Sequence, residues 1–443
     1  MMTKRFDPVL LLGAGLGLVA SLFPLLLFKA NRLVLGDFIG FPDLPVPHAY
    51  LMLLAFLALL ASAFLPKFRL PIASSLVVIS WLLLNWTISL TTRQLLADAP
   101  AIARVSFAPG FWLALFALYV ACFALSQRWR WAFLLLPVAV LLGSWLGHYE
   151  LLGPAVEFRS VASEFLPQTL RHLALSLVSL VLAALIGLPL GILAFRQRQF
   201  ENIILGGAGL LQTLPSIALF GLLLPPLAYL GRSFQLSQVL IILAILILFI
   251  GLRWVSSLRF LGNLAVSGTL ILALPLFGLW LVSLLSGESA TLKSWLNLNS
   301  SLADIGLRGI GAAPVLIALT LYALLPIVVN THLGLRNIPP GTLDAATGMG
   351  MNARQRFWRA EFPLALPFMM EGLRTALVLT FGITTVAALV GAGGLGFFIL
   401  RGVENAAPDL VLLGALPIVL LALVLDSFMR GLSWLLTPKG LRS

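Results

Sequence analysis

The chain has 443 residues, 60% of them hydrophobic and only 10% charged, with a mean hydropathy of +1.06. No soluble core needs that much apolar surface, so the composition excludes a water-soluble globular protein and calls for an all-α polytopic membrane protein. The net charge of +12 is no sign of nucleic-acid binding, because the lysines and arginines stand singly or in pairs between apolar runs, where they set orientation in the membrane.

Twelve apolar runs follow one another, at about 8–28, 49–65, 71–90, 109–126, 131–147, 169–195, 203–231, 235–251, 261–286, 310–331, 366–390 and 409–432. They predict about 12 transmembrane helices; the short alternating segments of a strand barrel are not visible. The first run, after Lys4 and Arg5, is too long for the apolar part of a signal peptide and reads as an uncleaved span. With the N-terminus inside, Lys4, Arg5, Lys67, Arg69, Arg128, Arg130, Arg196, Arg198, Arg253, Arg259, Arg336, Arg354, Arg356, Arg359, Arg430, Lys439 and Arg442 all fall on the cytoplasmic side, as the positive-inside rule requires, and both termini are cytoplasmic. One cysteine, Cys122, inside an apolar run, rules out a disulfide framework or a cysteine-held metal cluster within the chain.

Residues 1–150 form a five-span block whose outer loop, Lys29 to His48, is rich in Pro and Gly. It holds no intramembrane charge, so it reads as a membrane-anchoring accessory. A stretch from His148 to Gln168, with Glu150, Glu157 and Glu164, is expected to be a solvated outer linker to the remainder, 151–443, with a short amphipathic helix on the periplasmic surface as the other reading. In the run 203–231, Pro215 frees a backbone carbonyl, which a membrane tolerates where a neighbour or a cavity satisfies it. Gln212, Thr213, Pro215 and Ser216 at that break are candidates to line a passage; packing through small residues is the competing reading. The two apolar runs between about 233 and 309 carry no readable chemistry.

Between Pro339 and Pro367 lies the most polar stretch among the later runs. Pro339 and Pro340 end the incoming helix, and Thr342 is expected to cap a new one with Asp344 in its first turn. Gly348 and Gly350 break it, and Asn352 with Gln355 forms a capping box that restarts it. Ala353, Phe357 and Ala360 then make an apolar stripe opposite Gln355, Arg356 and Arg359, and Pro363 and Pro367 are expected to close the element. A short amphipathic helix with a kinked entry, at a membrane surface, is a docking element. Beyond it, Glu371 with Arg374 and Asp426 with Arg430 are spaced to pair structurally along their helices. Gly391-Ala-Gly-Gly-Leu-Gly396 lets backbones bend and approach closely.

Asp344-Ala345-Ala346, Gly350, and Pro363 after twelve further residues resemble the EAA loop of ABC importer permeases, with Asp in place of the leading Glu. Leu321 to Thr331 and Gly372 to Leu377 on either side are similar to the glycine betaine and osmoprotectant branch. So are Arg171-His172-Leu-Ala-Leu-Ser-Leu with Gly187 to Leu193, and Leu211 to Phe220; residues 233–309 depart from the family as a two-span insertion. The resemblance implies a type I (MetI-like) permease core following an N-terminal multi-span extension, in a bacterial inner membrane. It implies that Asp344, Ala345, Ala346, Gly350, Phe357, Glu361 and Pro363 belong to a coupling loop seated in a cytoplasmic ABC ATPase subunit. It also implies an outer gate at Gly391, Gly393, Gly394, Leu395 and Gly396.

The implied cargo is a compatible solute: glycine betaine, choline, carnitine or proline betaine. The implied partners are that ATPase, a periplasmic or lipid-anchored substrate-binding protein and a second permease copy. ATP and Mg are expected on the ATPase and no cofactor on this chain, which has no Gly-x-x-x-x-Gly-Lys-Ser/Thr loop and only scattered histidines (48, 148, 172, 332). The alternative is a twelve-span ion-coupled transporter, which calls for two similar halves and midplane charges; neither is visible.

Overall fold

A computed structural model describes residues 6–31, 34–65, 69–100, 102–250 and 259–437. Lys4, Arg5, Lys67, Arg253, Lys439 and Arg442 of the charge pattern lie outside these. Two compact units share the chain, residues 1–162 with 401–413, and residues 163–400 with 414–443.

The first unit contains α1 (Pro8–Ala20), α2 (Val46–Ser62), α3 (Arg69–Ala97), α4 (Pro109–Ser126) and α5 (Leu135–Trp145). Asp7 caps α1 by accepting from the N–H groups of Val9 and Leu10, each at 3.2 Å, with Pro8 at the first helical position. Small residues then set how closely the helices approach. A β-carbon on Gly13 would lie 2.8 Å from the Ala121 nitrogen of α4, and one on Gly17 would overlap the Phe56 ring of α2. The first apolar run does not stay helical: after Ala20 it turns and forms β1 (Leu26–Lys29), which pairs antiparallel with β2 (Asp37–Ile39) and β3 (Arg104–Phe107) on its two sides. The helical class therefore holds with one addition, a three-stranded sheet in which Leu26 stands opposite both Ile39 and Phe107.

The stretch 148–168 is mostly helix, but neither short nor solvated throughout. α6 runs unbroken from Gly153 to Arg196, 44 residues. Glu157, expected in solvent, is buried and paired with Arg104 at 3.5 Å, which removes the reason for the segment to stay solvated. The chain continues with α7 (Arg198–Thr213), α8 (Ser216–Ser233), α9 (Leu236–Ile250), α10 (Arg259–Leu285), α11 (Ser289–Trp295), α12 (Ala312–Arg336), α13 (Pro340–Gly348), α14 (Ala353–Arg356), α15 (Phe362–Thr384), α16 (Gly396–Glu404) and α17 (Pro408–Leu436), all in the second unit except residues 401–413. Each of the twelve apolar runs carries helix: among the described residues eight helices are long and apolar enough to cross a membrane, and four more are shorter.

α12 forms the centre of the second unit, with most of its side chains buried. Its neighbours come close through glycine: a β-carbon on Gly191 of α6 would lie 2.6 Å from Thr331 Cβ, and one on Gly372 of α15 would lie 2.7 Å from the Pro326 carbonyl oxygen. Some polar groups inside pair across helices, as when Ser176 Oγ meets Thr384 Oγ1 at 2.9 Å.

Candidate functional site

The polar element between α12 and α15 is built from local rules, most of them readable. α13 starts on Pro339 rather than on Thr342, which lies inside the helix. Pro340 has no N–H to satisfy and a backbone angle already helical, so it takes the first position and outranks the hydroxyl cap. Asp344 and Ala345 are exposed and Ala346 is buried. The helix ends as expected at Gly348. Gly350, at φ +75, allows its own N–H to reach the Thr347 carbonyl at 2.9 Å and the Met351 N–H to reach Ala346 at 3.2 Å, the pairing of a Schellman terminus. The capping box also forms: Gln355 N–H donates to Asn352 Oδ1 and Asn352 N–H to Gln355 Oε1, each at 2.9 Å.

From Phe357 the expected pattern departs. Residues 357–361 form a π turn in which the Phe362 N–H bonds the Phe357 carbonyl, five residues back, and the helix runs on into α15 past Pro363 and Pro367. A proline at 363 removes an N–H and crowds the carbonyl four residues earlier; widening the preceding turn relieves that conflict, so the prolines do not close the element. The wider turn also rotates the buried face. Phe357 is buried as expected, but Ala353 is exposed, Ala360 is half-buried, and Glu361 is buried in their stead.

Glu361 accepts from Arg356 Nε at 2.8 Å and faces Arg196 Nη2 at 4.0 Å. The Arg196 guanidinium lies 4.9 Å above the Phe357 ring. Phe357 and Glu361 thus fasten the element to the end of α6, while Asp344, Ala345 and Gly350 face outward and Pro363 is half-buried. Between Pro339 and Ala360 only Ala346 and Phe357 are buried. Met349 is 71% exposed and Trp358 57%, two large apolar side chains on a polar surface. Sequence reasoning missed both, and Arg196 as well; an aromatic inside a polar stretch was the available signal.

At the other end of α15, whose 23 residues extend about 35 Å, the glycine run folds back on itself. Gly391, Gly393 and Gly394 have φ of +71, +75 and +91, and a β-carbon on Gly396 would overlap the Thr385 carbonyl. Leu395 is fully buried. Three side chains of α6 hold this end. Gln168 Oε1 accepts from the Gly394 N–H at 2.7 Å, Arg171 Nε donates to the Ala392 carbonyl at 3.0 Å, and His172 Nε2 lies 3.2 Å from the Phe381 carbonyl. Their spacing along α6 places all three on neighbouring turns, but nothing local in the sequence ties them to a segment more than two hundred positions away.

The break at Pro215 is present between α7 and α8. Tyr322 Oη donates to the Leu214 carbonyl, and Gln212 Nε2 donates to the Tyr322 carbonyl at 2.9 Å. Pro326 explains the second bond, since it lacks the N–H that the Tyr322 carbonyl would otherwise use. Gln212 is therefore engaged with α12, Ser216 is half-buried, and Thr213 and Pro215 are exposed. Glu371 and Arg374 pair at 3.2 Å and Asp426 and Arg430 at 2.9 Å, as their spacing implied. Arg374 also pairs with Asp426, so the two expected pairs are one network joining α15 and α17.

Residues 183–434 match the family model for the binding-protein-dependent transport system inner membrane component. Residues 4–152 match the model for the N-terminal domain of the ABC transporter permease YehY. The osmoprotectant import permease protein OsmW of Salmonella typhimurium is 34% identical over 274 residues, 62% of this chain and 92% of that protein. The carnitine transport permease protein OpuCB of Listeria monocytogenes is 28% identical over 285 residues, 64% and 94% of the two chains. The glycine betaine/carnitine/choline transport system permease protein OpuCB of Bacillus subtilis is 25% identical over 279 residues, 63% and 91%.

Proposed function

The chain belongs to the family of binding-protein-dependent transport system inner membrane components and is the membrane-spanning permease of an ABC importer; on that premise we propose that its cargo is a quaternary-amine compatible solute such as glycine betaine, carnitine or choline. The named specificities of the relatives OsmW and the two OpuCB proteins support that class. ATP and Mg are held and ATP hydrolysed on a separate cytoplasmic ATPase, and this chain performs no chemistry of its own. A periplasmic or lipid-anchored binding protein delivers the solute, and a second copy of the chain completes the pathway. The termini and the polar element face the cytoplasm of a bacterial inner membrane. Residues 1–150 are an accessory block, and 151–443 the permease core with an insertion at 233–309.

One observation carries the docking assignment: the stretch Pro339 to Ala360 buries only Ala346 and Phe357 while Phe357 and Glu361 anchor it from behind. A polar surface bearing Met349 and Trp358 suits the groove of a soluble motor subunit. Movement imposed there reaches α15 without a flexible joint, since helix continues through the π turn. At its far end is the glycine run, which we assign as the outer gate; the exposed edge of the Pro215 break, with Gln212, Thr213 and Ser216 beside it, is assigned to the passage. Transport then follows as a population shift, provided ATP binds one state of the complex better than the other.

Purification of the tagged chain from its own membranes should bring an ATPase with it. Glu361→Lys sets a third cation beside Arg196 and Arg356, and is expected to abolish ATP-driven uptake while the protein still inserts. Unchanged uptake in that variant, or uptake that runs on an ion gradient with no nucleotide consumed, would overturn the assignment.

A further inference from the structure

The inserted helices are linked to the glycine run through Glu288 and Arg171. Glu288 stands in the turn between α10 and α11, directly after Gly287 at φ +71. Its Oε2 accepts from Thr291 Oγ1 at 3.3 Å, and its Oε1 is paired with Arg171 Nη1 of α6. The same guanidinium donates through Nε to the carbonyl of Ala392, in the middle of the glycine run, at 3.0 Å. Arg171 is largely buried, its side chain 14% exposed, and Ala392 is 2% exposed.

A guanidinium is a rigid planar fork. A carboxylate that fixes one arm therefore also fixes where the other arm points. The lobe that presents Glu288 is itself held in place by backbone bonds to the end of α8 and the start of α9: Ala303 N–H to Gly231, Leu302 N–H to Phe234 and Leu236 N–H to Ser300, at 2.9, 3.0 and 2.9 Å. A second clasp, Gln168 on the Gly394 N–H at 2.7 Å, comes from the preceding turn of α6 and does not involve the insertion.

We infer that Arg171 is a positioning residue for the outer gate, and that the insertion sets how readily that gate opens by holding Arg171 through Glu288. This rests on the assignment of Gly391 to Gly396 as the gate. Opening must take the Ala392 carbonyl away from Arg171 Nε. While Glu288 holds the fork, the closed arrangement is pre-organised; once it is released, Arg171 samples other rotamers and the closed state loses that advantage. The Gln168 clasp remains, so the effect is graded.

The test uses the full complex with its ATPase in right-side-out vesicles, with Ala392→Cys in a Cys122→Ala background. The rate at which a membrane-impermeant maleimide labels Cys at 392 reports the gate. In the parent, labelling should be slow at rest and faster when ATP drives the cycle. Glu288→Gln should raise the resting rate roughly threefold, the shift available to a partly exposed ion pair. Glu288→Asp should return most of the way to the parent rate, a rescue that a merely structural role would not give. Arg171→Gln, which removes the bond to Ala392 itself, should raise the resting rate at least as far as Glu288→Gln, and adding Glu288→Gln to it should change nothing further. A resting rate unchanged by Glu288→Gln, with cycle-dependent labelling intact, overturns the inference and leaves the gate assignment standing. Labelling that never changes with ATP overturns the gate assignment and this inference with it. Should Arg171→Gln fail to accumulate, the Glu288 variants decide alone, since that side chain is 37% exposed and tolerates replacement.

Discussion

Gly350 sits at φ +75 with open space where a β-carbon would point, so a substitution there meets backbone strain and no clash. A β-branched residue in that left-handed region costs about 1–2 kcal/mol, and asparagine less. Gly350→Val is therefore expected to loosen the Schellman terminus of α13 and impair coupling, and Gly350→Asn to retain most of it. ATP hydrolysis per solute taken up, measured for both in reconstituted complexes, checks the ordering; equal ratios would show that the turn is not what the coupling needs. The special turn was legible in the sequence because glycine adopts that backbone position most readily and because Asn352 and Gln355 stand at capping-box spacing. The start of α13 was misplaced for a physical reason: at Thr342 a hydroxyl cap competes with a proline already shaped for the first helical position, and the proline prevails.

At the scale of elements, two prolines each stand beside a freed backbone carbonyl, and each segment supplies the donor for the other. Pro326 leaves the Tyr322 carbonyl without its intrahelical donor, and Gln212 supplies one; the Leu214 carbonyl next to Pro215 receives the Tyr322 hydroxyl. In a membrane no water replaces a lost donor. Tyr322→Phe should thus lower stability by about 1–3 kcal/mol while keeping the ring, seen as a lower Tm in detergent, and Gln212→Leu should do the same. If Tyr322→Phe leaves Tm unchanged, the Leu214 carbonyl has another donor. The break itself could be read from Pro215, but not what satisfies it, because the two partners lie 108 positions apart. Other elements escaped for related reasons. β1 hides at the tail of an apolar run, the π turn at 357–361 has no period of its own to detect, and three glutamates made 148–168 look solvated until Glu157 met Arg104.

At the scale of the whole molecule, the division of the chain carries a consequence of its own. Residues 401–413 are far along in sequence yet belong to the unit formed by residues 1–162. Inside that unit Asp409 is buried and accepts from Ser106 Oγ at 2.5 Å, and Ala407 and Leu410 are buried beside it. A chain lacking residues 1–150 removes Ser106, and leaves a buried carboxylate without that hydrogen-bond donor. The polar element is unaffected, since Arg196, Phe357 and Glu361 all lie in the other unit. The shortened chain is accordingly expected to insert and to retain its ATPase, but to be cut faster by trypsin at Arg401 than the full chain. Ser106→Ala in the full chain, which removes that hydrogen bond and keeps the rest of residues 1–150, should fall between the two. Equal cleavage in all three would mean that residues 401–413 hold their shape without the N-terminal block, and the accessory would have to earn its place some other way.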